Sequence, residues 1–188
     1  MKKIDEIYIL GKILKSDAKA IAVVGSRKIT PRGIELTKKF TTALVRSGFT
    51  IVSGLARGVD TVAHKTALEA GGRTIAVLGS GLDIIYPPEN KGLAQEIIKH
   101  GALVSPFDYG TGPYPKNFLA RNRLIASFSL GVLIIEGERR SGTLSTASWA
   151  ANQGIDVFAI AGSEATDWLI DQGAISVSKA KDVLDSLV

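Results

Sequence analysis

The sequence predicts an α/β protein, a doubly wound and mostly parallel sheet with helices on both faces. Three observations carry that expectation. Short β-branched runs recur along the chain, each too brief for a helix and most of them ending at a glycine, as buried parallel strands do. Sequence of helical periodicity follows nearly every run. Between Ile21 and His64 the device occurs twice in succession, which reads as a βαβ unit.

In the first copy, Ile21 to Val24 is the strand and Gly25-Ser26-Arg27 its turn. Pro31 and Gly33 mark a helix start, and Ile34, Phe40, Thr41, Leu44 and Val45 give an apolar face up to the stop at Gly48. The second copy is Phe49 to Val52, the turn Ser53-Gly54-Leu55-Ala56-Arg57-Gly58, and a helix carrying Val59, Ala63, Ala67 and Leu68. Arg73 to Leu78 is a third strand ending in Gly79-Ser80-Gly81, and Tyr86-Pro87-Pro88 is a rigid loop before a helix from about Asn90 to His100. Ala102 to Val104 is a short strand. Ser105 to Pro115 holds three prolines, two glycines and two tyrosines without periodicity, a loop long enough to suggest a function.

Phe118 to Phe128 is helical, with Arg121 and Arg123 on different faces. Gly131 to Ile135 is a strand whose turn runs from Glu136 to Thr143, and Ser141 and Thr143 are both candidate caps for the alanine-rich helix ending near Asn152. Ile155 to Ile160 is the last clear strand. Trp168, Leu169 and Ile170 fall in a final crossover segment, and residues 178–188 form a closing helix. Residues 1–19, which mix charge with Ile4, Ile7, Tyr8, Ile9, Ile13 and Leu14, are expected to be an N-terminal surface segment in a short helix. Residues 20–188 are expected to be one domain, because no linker divides them.

Composition sets the outer bounds. A chain of 188 residues with 45% apolar content can bury a sizeable core. Cysteine is absent, which excludes disulfides, thiolate catalysis and cysteine metal sites and fits a reducing compartment. No apolar run approaches membrane-spanning length, and Met1-Lys2-Lys3 leads into Asp5 and Glu6 instead of a signal-type core, so a cytoplasmic protein without a membrane partner is expected. Lys plus Arg is 23 against 18 acidic residues, a net charge of +5 that is compatible with nucleic acid and with much else.

Position therefore has to carry the functional argument. In a parallel sheet the turns at Gly25 to Arg27 and Gly54 to Gly58 fall on one edge, where small residues let backbone N–H groups approach an anionic ligand and where Arg27 and Arg57 add cations. Gly25, Ser26, Arg27, Gly54, Arg57 and Gly58 are accordingly phosphate-site candidates. Lys116, Phe118, Arg121, Asn122 and Arg123 bring cations and an aromatic together after the Pro/Tyr loop, as surfaces that hold single strands do.

Other chemistries find less support. No G-x-G-x-x-G follows the first strand, and Thr143 stands where a Walker lysine would, so neither a dinucleotide nor a nucleoside-triphosphate site is expected. Asp60 and His64, one helical turn apart, are open to two readings: an acid/base pair, or a buried histidine oriented by a carboxylate. Glu136 is either catalytic or a partner of Arg139 or Arg140. No metal or cofactor is called for.

The runs GSR, SGLARGVDTVAH, TIAVLGSGLDIIYPPEN, FLARNRLIA and SGTLSTA, in this order and spacing, resemble the Rossmann-like domain of the DprA (Smf) family of bacterial DNA-processing proteins over about residues 20–176. The resemblance implies a non-catalytic protein that binds and protects single-stranded DNA, helps load the recombinase RecA during natural transformation, and dimerises through this domain. It places the DNA pocket on Arg27, Gly54, Arg57, Lys116, Phe118, Arg121 and Asn122. It also implies a minimal core without the helical and winged-helix domains of many members. The chain departs from the family at Ser105-Pro106, where Ser-Glu is usual, and at Ala161-Gly162, where Pro-Gly is usual. The alternative from another class is a nucleotide-binding module or a phosphoribohydrolase of the lonely-guy type, whose P-G-G-x-G-T-x-x-E signature is only partly matched by Gly137 to Thr146.

Overall fold

The structure, a computed structural model, describes residues 7–139 and 142–187. Among the described residues eight strands form a single sheet: β1 (Tyr8–Gly11), β2 (Ala20–Val24), β3 (Thr50–Ser53), β4 (Thr74–Val77), β5 (Ala102–Ser105), β6 (Gly131–Ile134), β7 (Asp156–Ala159) and β8 (Ile175–Ser176). Their order across the sheet is β1-β5-β4-β3-β2-β6-β7-β8, and every neighbouring pair except β1 with β5 is parallel. This is a doubly wound, Rossmann-like sheet.

Strand β2 lies at its middle, with Ala22 opposite Val52 on one side and Val132 on the other. From there the chain winds outward in both directions, so the sheet's switch point falls between the carboxyl ends of β2 and β6. Alternation along β2 separates the two layers. Ala20, Ala22 and Val24 pack with Leu124, Ile125, Ala147, Ala150 and Leu169, which belong to α4 (Pro115–Ser127), α5 (Gly142–Asn152) and α6 (Glu164–Asp171). Ile21 and Val23 pack with Phe40, Leu44, Val59, Ala63 and Val183 of α1 (Pro31–Arg46), α2 (Val59–Glu69) and α7 (Ala180–Ser186). A third cluster joins Leu55 and Leu103 to Ala94 and Ile97 of α3 (Lys91–His100).

Two strands were not predicted, and one prediction fails. Residues 1–6 of the helix expected near the amino end lie outside the described residues, and the rest is instead β1, paired antiparallel along the free edge of β5, followed by a 3₁₀ turn over Lys15–Ala18. A short apolar run has no period that distinguishes helix from strand, and here the unpaired edge of β5 decides. Gly11, at φ +103°, ends the strand in a conformation that favours glycine. The segment is then tied down by Asp17, which accepts hydrogen bonds from Leu14 N and Thr50 Oγ1 and a two-pronged one from Arg73 at 2.7 and 2.8 Å. Burial acts most strongly on this carboxyl and would raise its pKa, but the bonds from Arg73, Leu14 and Thr50 together outweigh burial and hold it below the usual carboxylate range.

Helix α4 begins at Pro115, earlier than its apolar period suggests, because proline is accommodated in a first turn. Thr143 is already inside α5 and does not cap it, while Ser141 lies outside the described residues. Leu169 is part of the core, and Trp168 and Ile170 are half-buried against it.

Candidate nucleic-acid interface

A crevice of about 540 Å³ opens at the switch point, between the turn after β2 and the amino end of α5. Gly25, Ser26, Arg27 and Lys28 form one wall, Phe118, Arg121 and Asn122 of α4 another, and Thr143 and Thr146 of α5 a third, with Val24 and Ile125 also lining it.

The turn after β2 is held from both sides. Ser26 N donates to the Glu136 carbonyl at 2.9 Å, and Val59 N donates to the Ser26 carbonyl at 3.1 Å. Gly58, at φ +75°, sits so close to Ser26 O that a Cβ would strike it, so the glycine is required by conformation and by space. Ser26 Oγ accepts from Lys28 N at 3.0 Å, which leaves the exposed Arg27 at the apex.

Arg121 is 3% exposed. It reaches from α4 across the carboxyl ends of β3 and β4, and its Nη1 donates to the carbonyls of Gly54 and, at 2.9 Å, Val77. Asp60 balances its charge from α2 while accepting from Gly54 N at 3.1 Å and Ala56 N at 3.3 Å. Burial pushes the Arg121 pKa down to about 10, against the pull of Asp60, so the guanidinium stays charged at neutral pH. Burial likewise raises the Asp60 carboxyl, opposed by Arg121 and by the N–H groups. Arg121 thus lines the crevice while bracing its floor.

Phe118 is half-buried at the mouth. Its ring lies 5.2 Å from the Arg27 guanidinium, 5.6 Å from that of Arg121 and 5.9 Å from the Tyr86 ring. Gly79 lies against its edge, where a Cβ would come within 2.7 Å of Cδ1. A ring with two cations close by suits a planar, anionic ligand.

The other predicted residues divide. Asn122 donates to the carbonyl of Gly142 at 3.1 Å, joining α4 to the start of α5. Lys116 is exposed in the first turn of α4. Gly54 and Gly58 shape the turns without lining the crevice. Arg57 is engaged by Glu89 at 2.5 Å beside the crevice, and Arg123 points away from it, 5.0 Å over the Trp149 ring. Tyr86, Thr143 and Thr146 also line the crevice, and the sequence does not single them out as site residues. The Tyr-Pro-Pro run was visible only as a rigid loop, and the threonines carry no signal until the helix is placed.

Asp60 and His64 do not form a pair. The Thr74 hydroxyl donates to Ile51 O at 2.8 Å, so it accepts from His64 Nδ1 at 2.7 Å, and the unprotonated Nε2 is left buried without a partner among the described residues. Burial first, and then the Arg121 charge, lower the His64 pKa to about 3. Glu136 pairs with neither arginine proposed for it among the described residues. Its carboxylate accepts from Thr30 N at 2.7 Å and Thr30 Oγ1 at 2.6 Å, while Arg139 lies over Trp168 and Arg140 is outside the described residues. Among the described residues no group of His, Asp and Glu could hold a metal ion, and no helix is long and apolar enough to cross a membrane.

Fold and crevice together define a Rossmann-like protein with a cationic, aromatic-lined cleft at its switch point. The family model for DNA recombination-mediator protein A matches residues 3–188, and the chain belongs to that family. It is 43% identical over 188 residues to protein Smf of Escherichia coli, an alignment that covers 96% of this chain and 50% of that one. Among solved structures, DNA processing protein A from Streptococcus pneumoniae superposes with a TM-score of 0.89 at 40% identity over 95% of this chain and 65% of its own. DNA processing protein A from Helicobacter pylori, whose structure is described as showing a single-stranded DNA binding mode, gives 0.90 at 30% identity over 99% and 88%. The chain spans about half the length of the curated relatives it matches.

Proposed function

We propose that this chain binds single-stranded DNA, without strong sequence preference, in the crevice between the Gly25–Lys28 turn and helix α4. The observation that carries the reading is the half-buried Phe118 ring, with the guanidinium groups of Arg27 and Arg121 at 5.2 and 5.6 Å from its centroid, at the mouth of a cleft lined by hydroxyls. A base stacks on such a ring whatever its identity, and the exposed Arg27 and Lys116 take the adjoining phosphates, while the buried Arg121 braces the floor. Support comes from the family and from the single-stranded DNA binding named for the Helicobacter pylori neighbour.

The role that follows is a non-catalytic one, protecting single strands in the cytoplasm and assisting a RecA-type recombinase to load on them, with the protein acting as a homodimer. Trp168, Leu169 and Ile170 lend the dimer no support, since they are used in packing against the core. The geometry also weighs against a phosphoribohydrolase. Glu136, the carboxylate at the end of β6, is occupied by Thr30.

The test is a titration of labelled single- and double-stranded oligonucleotides at two salt concentrations. Tighter binding of the single strand, weakened by an Arg27→Ala, Lys116→Ala double variant that still folds, is expected. Unchanged affinity in that variant removes the site.

A further inference from the structure

Beside the crevice lies a smaller hollow walled by Arg27, Ala56, Arg57, Tyr86, Pro87 and Phe118. It repeats the chemistry of the main site with a second arginine and a second ring. Tyr86 is 38% exposed and tilted by 54° to Phe118, so part of the aromatic pair reaches solvent. Arg57, however, is engaged. Its Nε and Nη2 donate to the two oxygens of Glu89 at 2.5 and 3.2 Å, the forked arrangement with which a guanidinium also grips a phosphate.

Glu89 is well placed to stay there. It sits in a 3₁₀ turn over Pro88–Asn90, and the buried Asn90 side chain fastens that turn by donating to Leu55 O at 2.9 Å and Thr61 Oγ1 at 2.8 Å. The turn bearing Arg57 and the turn bearing Glu89 are thereby locked face to face. Both charged groups remain about half-exposed, with side-chain accessibilities of 55% and 50%, so an anion arriving from solvent can compete for the guanidinium.

We propose that Tyr86 and Arg57 form a second nucleotide subsite next to the main crevice, and that Glu89 occupies its phosphate position in the free protein. The inference rests on the single-stranded DNA reading above. Tyr86 continues the stack begun on Phe118, and the neighbouring phosphate must displace the Glu89 carboxylate to reach Arg57. Glu89 thus sets the affinity of the strand by intramolecular competition.

The test uses fluorescent oligodeoxythymidylate and the whole chain, with thermal melting to establish that each variant folds. Glu89→Gln keeps the shape of the side chain and removes its charge. It is expected to bind about threefold to tenfold tighter at low salt and to steepen the log–log salt slope by up to about 0.7, since no displaced carboxylate takes up a cation when the phosphate reaches Arg57. Adding Arg57→Ala should abolish both gains. Tyr86→Ala should weaken binding with the slope unchanged, and Tyr86→Phe should restore it. Unaltered affinity and slope in Glu89→Gln overturn the inference, as does a gain that survives in the Glu89→Gln, Arg57→Ala double variant, since that gain would reflect only the loss of a negative charge. Failure of the parent to bind at all overturns the underlying function instead, and sensitivity to Arg27 and Lys116 without sensitivity to Glu89 overturns the second subsite alone.

Discussion

Arg121 Nη1 donates to the carbonyl of Gly54, and the guanidinium fills the space in which any side chain at position 54 would begin. The contact joins α4 to the turn after β3, 67 residues away in sequence. The wall of the crevice and its floor are therefore one structure.

Substituting either partner should destabilise the fold before it affects a ligand. Gly54→Ala forces the guanidinium aside and is expected to cost roughly 1–3 kcal/mol. Arg121→Ala leaves the buried Asp60 carboxylate without its countercharge and should cost roughly 3–5 kcal/mol. Urea denaturation measures both, and an Arg121→Ala protein as stable as the parent would contradict the bracing role.

Phe118 and Arg27 should report on different terms of binding although they touch. Phe118→Ala loses a stacking face and should weaken single-strand affinity by roughly 1–3 kcal/mol with little change in salt dependence. Arg27→Ala should lower the magnitude of the salt slope by about 0.7. Because the two groups lie 5.2 Å apart, the double variant should lose less than the sum of the single losses. Titrations across a salt series decide it.

His64 makes folding stability depend on pH in a direction that its geometry dictates. The folded pKa of about 3 lies below the ordinary value of 6.5, so the unfolded chain takes up the proton first. The contribution of the neutral imidazole is complete above pH 6.5 and is lost as pH falls toward 3. Within that window the residue should remove about 1.4 kcal/mol per pH unit. His64→Asn, which retains a donor toward Thr74, should flatten that part of the stability profile even where it lowers stability overall, and an unchanged slope would refute the assignment.

Glu136 should behave as a brace and not as a catalyst. Thr30 caps α1 through Oγ1, which accepts from Gly33 N at 2.9 Å, and Glu136 holds Thr30 in turn. Glu136→Gln is expected to cost about 1–2 kcal/mol in thermal or urea unfolding and to leave single-strand affinity unchanged once the protein is folded. Incubated with nucleoside monophosphates, the parent should release neither base nor phosphate, and turnover abolished by Glu136→Gln would favour the enzyme.

What the sequence by itself determined was the local grammar: six β-branched strands, the helices after them and the glycine turns, because each follows from a period or a backbone requirement contained within a few residues. From these the doubly wound sheet followed, with the glycine turns after β2 and β3 on one edge of it, and the five ordered motifs pointed to the family. The tertiary structure decided what depends on partners distant in the chain. The free edge of β5 made residues 8–11 a strand. Arg121, which the sequence offers together with Arg123 as a DNA-binding cation, is buried because Gly54, Val77 and Asp60 converge on it from three other segments, and Arg123, two residues on, turns to Trp149. Arg57 looked like a free cation until the loop carrying Glu89 was folded against it. A charged side chain has no intrinsic period or backbone signature, so its role is set by whatever lies within a few ångströms of its tip, and that is known only when the chain is folded.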